Sequence, residues 1–230
     1  MSHLVVVTGT ATEIGKTHVS EALLVAWTAS GLRTAGLKPV ESGVHPGALT
    51  DAARLDRAAT FHVKHFGVAL PEPISPHLAA RRAGVRLDLD ALAAALHPVR
   101  SHVEVALVEL PGGLFSPLTE ALCNADLAAR LAPDTMLLLA PDRLGVLHDV
   151  LATTRAAASE RLPVDAVILI APAHRDPSTG TNAAELAARL PMPVLTTLPR
   201  RAVPELVREG SLEPILNWMR PRLGVRARAG

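Results

Sequence analysis

The chain has 230 residues, 49% hydrophobic but only 2% aromatic, with a formal net charge of +1. Near-neutral charge gives no electrostatic footing for nucleic acid or an anionic membrane, and the length fits one domain with an aliphatic core. A lone cysteine, Cys123, excludes a disulfide framework, and with no signal-peptide pattern and no apolar run of about 18 residues the expectation is a cytoplasmic protein.

Apolar strand patterns alternate with helical ones. Strands are expected at Leu4–Val7, Thr34–Lys38, Val103–Glu109, Thr135–Ala140, Val164–Ile170 and Val194–Thr197. Helices are expected at Lys16–Ala29, Asp51–Ala59, Leu89–Leu96, Ala125–Leu131, Leu147–Arg161 and Ala183–Leu190. The first helix puts Val19, Leu23, Ala26 and Trp27 on one face, and Gly31 follows as a stop. Asn182 with Glu185 reads as a capping box, Pro204 as the opening of a short C-terminal helix, and Arg81-Arg82 as a helix face. No linker, repeat or low-complexity tract divides the chain, so a single domain over 1–230 is expected, with residues 221–230 as a flexible basic tail. Strand–helix alternation specifies an α/β fold, a parallel sheet covered by helices on both faces.

The segment Thr8-Gly9-Thr10-Ala11-Thr12-Glu13-Ile14-Gly15-Lys16-Thr17 lies between the first strand and the first helix. That is the place of a phosphate loop, whose successive backbone N–H groups and helix N-terminus face a polyphosphate. Against the pattern G-x-x-x-x-G-K-[ST], the first glycine position is Thr10, with Gly9 one residue earlier, so the loop is a variant. Glu13, Ile14, Gly15, Lys16, Thr17 and His18 are the expected nucleotide-binding run. Lys16 would reach the terminal phosphates, and the Thr17 hydroxyl would ligate the Mg²⁺ carried by a nucleoside triphosphate. The fold is therefore expected to be of the P-loop nucleoside triphosphate hydrolase type.

In open parallel sheets, ligands bind beyond the carboxyl ends of the strands. Two further polar loops leave strand ends there, Lys38-Pro39-Val40-Glu41-Ser42-Gly43 and Glu109-Leu110-Pro111-Gly112-Gly113. Phosphoryl transfer needs positioned cations and a metal, and Lys16 and Lys38 would supply the cations. Mg²⁺ held through Thr17 wants one or two carboxylates. Asp51 and Glu109 are candidates, although Thr50-Asp51 reads equally well as a helix N-terminus. His45, His62 and His65 are too loosely spaced to argue for a transition metal. Asp126 and Glu120 read as solvated charge, and Cys123 as a small buried residue.

These motifs resemble those of the dethiobiotin synthetase family. The phosphate loop is similar to that family's signature, and Lys38-Pro39-Val40-Glu41-Ser42-Gly43 matches its K-P-V-x-S/T-G motif. Pro73-Ile74-Ser75-Pro76-His77 resembles P-x-x-P-H, Glu109-x-x-Gly112-Gly113 resembles E-G-A-G-G, and Leu144-Gly145-Val146-Leu147-His148 resembles L-G-x-I-N-H. The resemblance implies a homodimeric, ATP-dependent ligase that joins 7,8-diaminopelargonic acid and CO₂ into a cyclic urea. It implies that Lys38 and Lys16 stabilise the carbamate and transferring phosphoryl group, that Thr17, Asp51 and Glu109 hold Mg²⁺, and that Thr12 and Ser42 contact the diamine or carbamate. It further implies that Gly112 belongs to the nucleotide site, Pro199 to the base-side loop, and Gly145, Val146 and Leu147 to a helix N-terminus that receives the substrate carboxylate from the other subunit.

The chain departs from the family at several positions. Ala11 stands where Asp is frequent, and Leu110-Pro111 replaces Gly-Ala, adding bulk expected near the phosphates. Leu147 occupies the Asn position. Ile170-Ala171-Pro172-Ala173 carries no amide where the family often has a purine-reading Asn. Three alternatives stand beside the ligase. A cobyrinate-type amidating synthetase needs a further domain for which 230 residues leave no room. A partitioning-type switch ATPase carries an early second lysine where this chain has Ala11 and Thr12. A catalytically degenerate homologue would bind nucleotide without turnover.

Overall fold

A computed structural model describes residues 2–64 and 66–224; Met1, His65 and the tail from 225 onward, with Arg226 and Arg228, lie outside the described residues. In chain order the elements are β1 (His3–Gly9), α1 (Lys16–Ala29), β2 (Thr34–Leu37), β3 (Val40–Ser42), α2 (Asp51–Ala58) and β4 (Val68–Leu70). Then come α3 (Pro76–Arg82), α4 (Leu89–Ala94), α5 (Leu96–Arg100), β5 (Val105–Glu109), α6 (Asn124–Leu131) and β6 (Thr135–Pro141). The chain continues through α7 (Val146–Ser159), β7 (Ala166–Ile170), α8 (Asn182–Ala187), β8 (Val194–Leu198), α9 (Val203–Arg208) and α10 (Glu213–Met219).

Six strands form one parallel sheet in the order β2-β5-β1-β6-β7-β8. β1 shows why its sequence is an unbroken apolar run. Leu4 and Val6 pack into the core on one face, Val5 and Val7 into the core on the other, and all four are fully buried. A parallel strand covered by helices on both sides has no solvent face and so no alternation. Each such side chain contributes about 1.5–3 kcal/mol by leaving water. Strand order reverses beside β1, so the crevice at the carboxyl ends of β2, β5 and β1 is where a ligand fits.

α1 runs over the expected residues and buries Val19, Leu23, Ala26 and Trp27; the chain turns away at Gly31, whose φ of 87° favours glycine. The expected Leu89–Leu96 helix is two pieces, α4 and α5, because Pro98 is accommodated only in the first turn of a new helix. β5 begins at Val105 and not at Val103, the pairing with β1 starting at His3–Val105. Asn182 does not cap a helix. It lies inside α8, and its buried Nδ2 donates to Asp142 Oδ1 at 2.7 Å. Pro204 lies in the first turn of α9 as expected, and Arg81 and Arg82 lie on α3. The parallel pair β3–β4 is too short for periodicity to reveal, three residues a side. Among the described residues, no helix is long and apolar enough to cross a membrane.

Candidate active site

The loop after β1 is held by close approaches. A Cβ on Gly9 would come within 2.5 Å of Ile14 Cδ1, and Gly15 takes a φ of 97° at the start of α1. Glu13 also adopts the left-handed region, at φ 56°, an unusual conformation for a side-chain-bearing residue and one that clusters at ligand sites. α1 has no acidic residue in its first turn and no side-chain cap, so its N-terminal dipole is left for an anion. Lys16 folds back over the loop, Nζ donating to Ala11 O at 2.9 Å. Burial pushes the Lys16 pKa down to about 8; Glu109 pulls it up, and Lys38 pushes it further down.

Beside this loop lies a buried charge cluster. Lys38 follows β2 directly and is 7% exposed, while Glu109 ends β5 and is fully buried. Lys38 Nζ donates to Glu109 Oε1 at 2.7 Å and to Asp51 Oδ2 at 2.6 Å. Thr17 Oγ1 donates to the same Glu109 Oε1 at 2.8 Å. Burial alone would lower the Lys38 pKa, but the two carboxylates outweigh it and raise it. Burial would raise the Asp51 pKa, and Lys38 more than reverses that, holding it below the usual value. Glu109 Oε2 is buried with no hydrogen-bond partner among the described residues. An unpaired buried carboxylate oxygen is costly, and with the Thr17 hydroxyl and the Asp51 carboxylate it makes a set of hard oxygen ligands that fits Mg²⁺.

The helix-start reading of Asp51 holds, and the residue also faces the charge cluster. Thr50 caps α2, accepting from Ala53 N–H at 3.0 Å, and Asp51 is the helix's first residue, paired with Lys38. Sequence reasoning gave no role to Glu41, whose carboxylate accepts from the Asp51 and Ala52 N–H groups at 2.6 and 3.0 Å. It fixes the helix start that carries Asp51, ten residues along the chain, a span no local pattern signals.

Two cavities share this edge. The first, about 670 Å³, is lined by Thr12, Glu13, Gly15, Lys16, Thr17, Lys38, Ser42, Asp51, Glu109 and Gly112, among others. Pro73, Ile74, Ser75 and Pro76 of the P-x-x-P-H segment form another wall. The Ser42 hydroxyl is buried there without a partner among the described residues. The second cavity, about 490 Å³, is lined by Ile14, Ile170, Leu198, Pro199, Arg201 and Leu206. Glu13, Gly15, His18 and Arg54 border both. His18 Nε2 is 2.6 Å from Arg201 O, joining α1 to the loop after β8. The sheet edge thus offers a groove of two adjoining cavities, one holding the buried Lys38 charge cluster and the other mixing apolar walls with Arg200, Arg201 and Glu205.

Three expected site residues are not brought to this groove. Gly145, Val146 and Leu147 open α7 beyond β6 and line neither cavity; Gly145 has a φ of 92°, Val146 is buried, and the preceding Leu144 is 73% exposed. The bulk expected from Leu110 is also absent from the phosphate site. Leu110 is fully buried in the core, its N–H bonded to Val7 O, and only Pro111 reaches the cavity.

The remaining candidates take ordinary roles. Asp126 is no free surface charge but accepts from Cys123 N–H at 2.8 Å at the start of α6. Glu120 pairs with Arg81, and His62 lies 3.1 Å from Asp56 O. Burial raises the Cys123 thiol pKa, which opposes a nucleophilic role.

A family model described as an AAA domain matches residues 3–207. An ATP-dependent dethiobiotin synthetase BioD from Ralstonia nicotianae is 38% identical over 206 residues, covering 86% of this chain and 90% of that protein. One from Rhodopirellula baltica is 35% identical over 229 residues, covering 91% of this chain and 89% of that protein. Among solved structures, the MinC:MinD cell division complex of Aquifex aeolicus superposes with a TM-score of 0.61 at 12% identity, over 100% of this chain and 99% of that one. A ParA family ATPase from Chlorobium tepidum gives 0.56 at 11% identity, over 94% and 88%. The structural likenesses establish the P-loop fold, and the sequence relatives speak to the chemistry.

Proposed function

We infer the reaction from membership: the chain belongs to the dethiobiotin synthetase family and is an ATP-dependent ligase that closes a ring through carbon–nitrogen bonds. The observation that carries the assignment of roles is Lys38, buried between Asp51 and Glu109 at the edge of the phosphate loop.

The substrates are 7,8-diaminopelargonic acid, CO₂ and ATP. One amine adds to the carbon of CO₂ and loses a proton, giving a carbamate. A carbamate oxygen attacks the γ-phosphorus as the bond to the ADP oxygen breaks. The second amine then attacks the carbamate carbon, phosphate departs, a proton is lost, and the cyclic urea closes.

Nucleotide phosphates lie along Glu13 to His18, with Gly112 across the cavity and the base toward Pro199. Lys16 leaves Ala11 O for the phosphate oxygens. Lys38 sits where charge accumulates on the carbamate and the transferring phosphoryl group, and a preorganised buried cation there favours the transition state. Thr12 and Ser42 line the diamine side of the same cavity. Thr17, Asp51 and Glu109 would hold Mg²⁺, which supplies positive charge to the phosphate oxygens.

The diamine's carboxylate is received at the N-terminus of α7 of a second subunit, at Gly145, Val146 and Leu147. Two observations support this: Gly145 leaves that helix end without a side-chain cap, and exposed Leu144 beside it suits a subunit contact. The enzyme is a cytoplasmic homodimer. Feeding ¹³C-bicarbonate tests the reaction by mass spectrometry. A product retaining one ¹³C with ADP and phosphate released supports it, and nucleotide consumption without labelled product contradicts it.

A further inference from the structure

We propose that Asn124 is a positioning residue for the reaction, clamping the Pro111-Gly112-Gly113 turn against the phosphate loop; this rests on the ligase reading above. Asn124 is the first residue of α6 and is fully buried. The N-cap position of that helix is Cys123, so the Asn124 side chain is not engaged in capping. Instead Nδ2 donates across the fold to Pro111 O and to Gly113 O, the latter at 2.8 Å. The same residue's backbone N–H donates to Ser116 O at 3.1 Å, and Ser116 Oγ accepts from Gly113 N–H at 2.9 Å. The turn is therefore closed from both sides.

What the clamp holds is part of the site. Gly112 lines the charged cavity at φ 65°, and its N–H makes no hydrogen bond among the described residues. Gly113 lies so close to the phosphate loop that a Cβ would come within 3.0 Å of Thr10 O. Leu114 N–H donates to Gly9 O at 2.9 Å. Pro111 contributes no N–H of its own to fix the turn, so on its Pro111 side the turn is tied through the carbonyl that Asn124 takes. Holding Pro111 O inward fixes the 111–112 peptide plane, and with it the Gly112 N–H beside the transferring phosphoryl group; Ser116 Oγ on Gly113 N–H fixes the next plane, and Asn124 on Gly113 O the one after. Misplacing such a group by about 1 Å can cost about a hundredfold in rate.

The test compares wild type, Asn124→Leu and Ser116→Ala by three readouts: kcat, nucleotide affinity, and hydrogen exchange of the 109–117 peptide. Asn124→Leu keeps the branched shape and removes both donors. It should lower kcat about tenfold or more with ATP affinity within about twofold, and speed exchange across 109–117. Ser116→Ala removes one tie and should do the same more weakly, so it carries the test if the leucine variant does not fold. Unchanged kcat and unchanged exchange in a folded variant would overturn the proposal. A parallel loss of kcat, ATP affinity and melting temperature would also overturn it, since that is what a merely structural residue gives. Wild-type turnover that needs both the diamine and bicarbonate validates the underlying reading separately. If wild type lacks that turnover, the ligase reading fails, and the exchange readout still decides whether Asn124 holds the turn.

Discussion

At one end of the groove, Lys38 is locked between two carboxylates, Lys16 is bent over the loop, and Glu109 Oε2 has no hydrogen-bond partner among the described residues. At the other end, Ile170, Leu198, Pro199 and Leu206 present apolar walls. Among the charged groups there, Arg201 pairs with Glu209 at 2.7 Å and Glu205 accepts from Ala202 N–H at 3.2 Å, and Arg200 lines the same cavity. Among the described residues, no Asn or Gln side chain lines that cavity. Under the proposed function, the desolvated charge at the first end would give rate, and the second end, with no amide side chain among its described lining residues, would give little choice between bases.

Changes at the charged end should have the largest effects. Lys38→Ala should lower kcat by about 10²–10³-fold, as loss of a transition-state donor does, while nucleotide affinity stays within about threefold. Equal loss of both in a binding titration and a turnover assay would remove Lys38 from the transition state. Glu109→Ala should abolish turnover and also destabilise the fold by about 3–5 kcal/mol, because it strips a partner from a buried cation. Urea unfolding measures that cost, and a stable variant would mean Asp51 alone satisfies Lys38.

The Pro199 end should respond differently. ATP, GTP and CTP should differ by no more than about tenfold in kcat/KM, since strong discrimination needs buried polar groups that a wrong base leaves unpaired. A preference of about 10⁴ for one base would show that backbone groups read it.

The smallest effect lies outside the groove. Burial lowers the His3 pKa below 6.5, with Asp134 pulling it up and Arg100 pushing it down, and the ring meets Thr135 Oγ1 at 2.9 Å. A base whose folded pKa is depressed takes its proton more readily when unfolded, so stability falls as pH drops through about 6.5 and is retained above it. His3→Gln should flatten that part of the thermal stability profile between pH 5 and 7. An unchanged slope would assign it to other groups.

Legibility in the sequence followed the same division. The apolar run of β1, the Gly15-Lys16-Thr17 start of α1 and the three polar strand ends were readable because burial and turn geometry act locally on them. Glu41 and Asn124 were not, since each serves backbone groups ten or more residues away. Leu110 misled for a related reason: its place in the motif suggested the phosphates, but the pleat of the emerging chain turns it into the core. Gly145, Val146 and Leu147 were legible only through the family resemblance, and a single chain does not bring them to the groove.

The most direct measurement is phosphate release by the purified protein with Mg²⁺ and ATP, with and without 7,8-diaminopelargonate and bicarbonate. Release that requires both additions, and is lost in Lys38→Ala, is the expected result. Release that is indifferent to the diamine and bicarbonate, or nucleotide binding with no release at all, would contradict the assignment of this groove to ring closure.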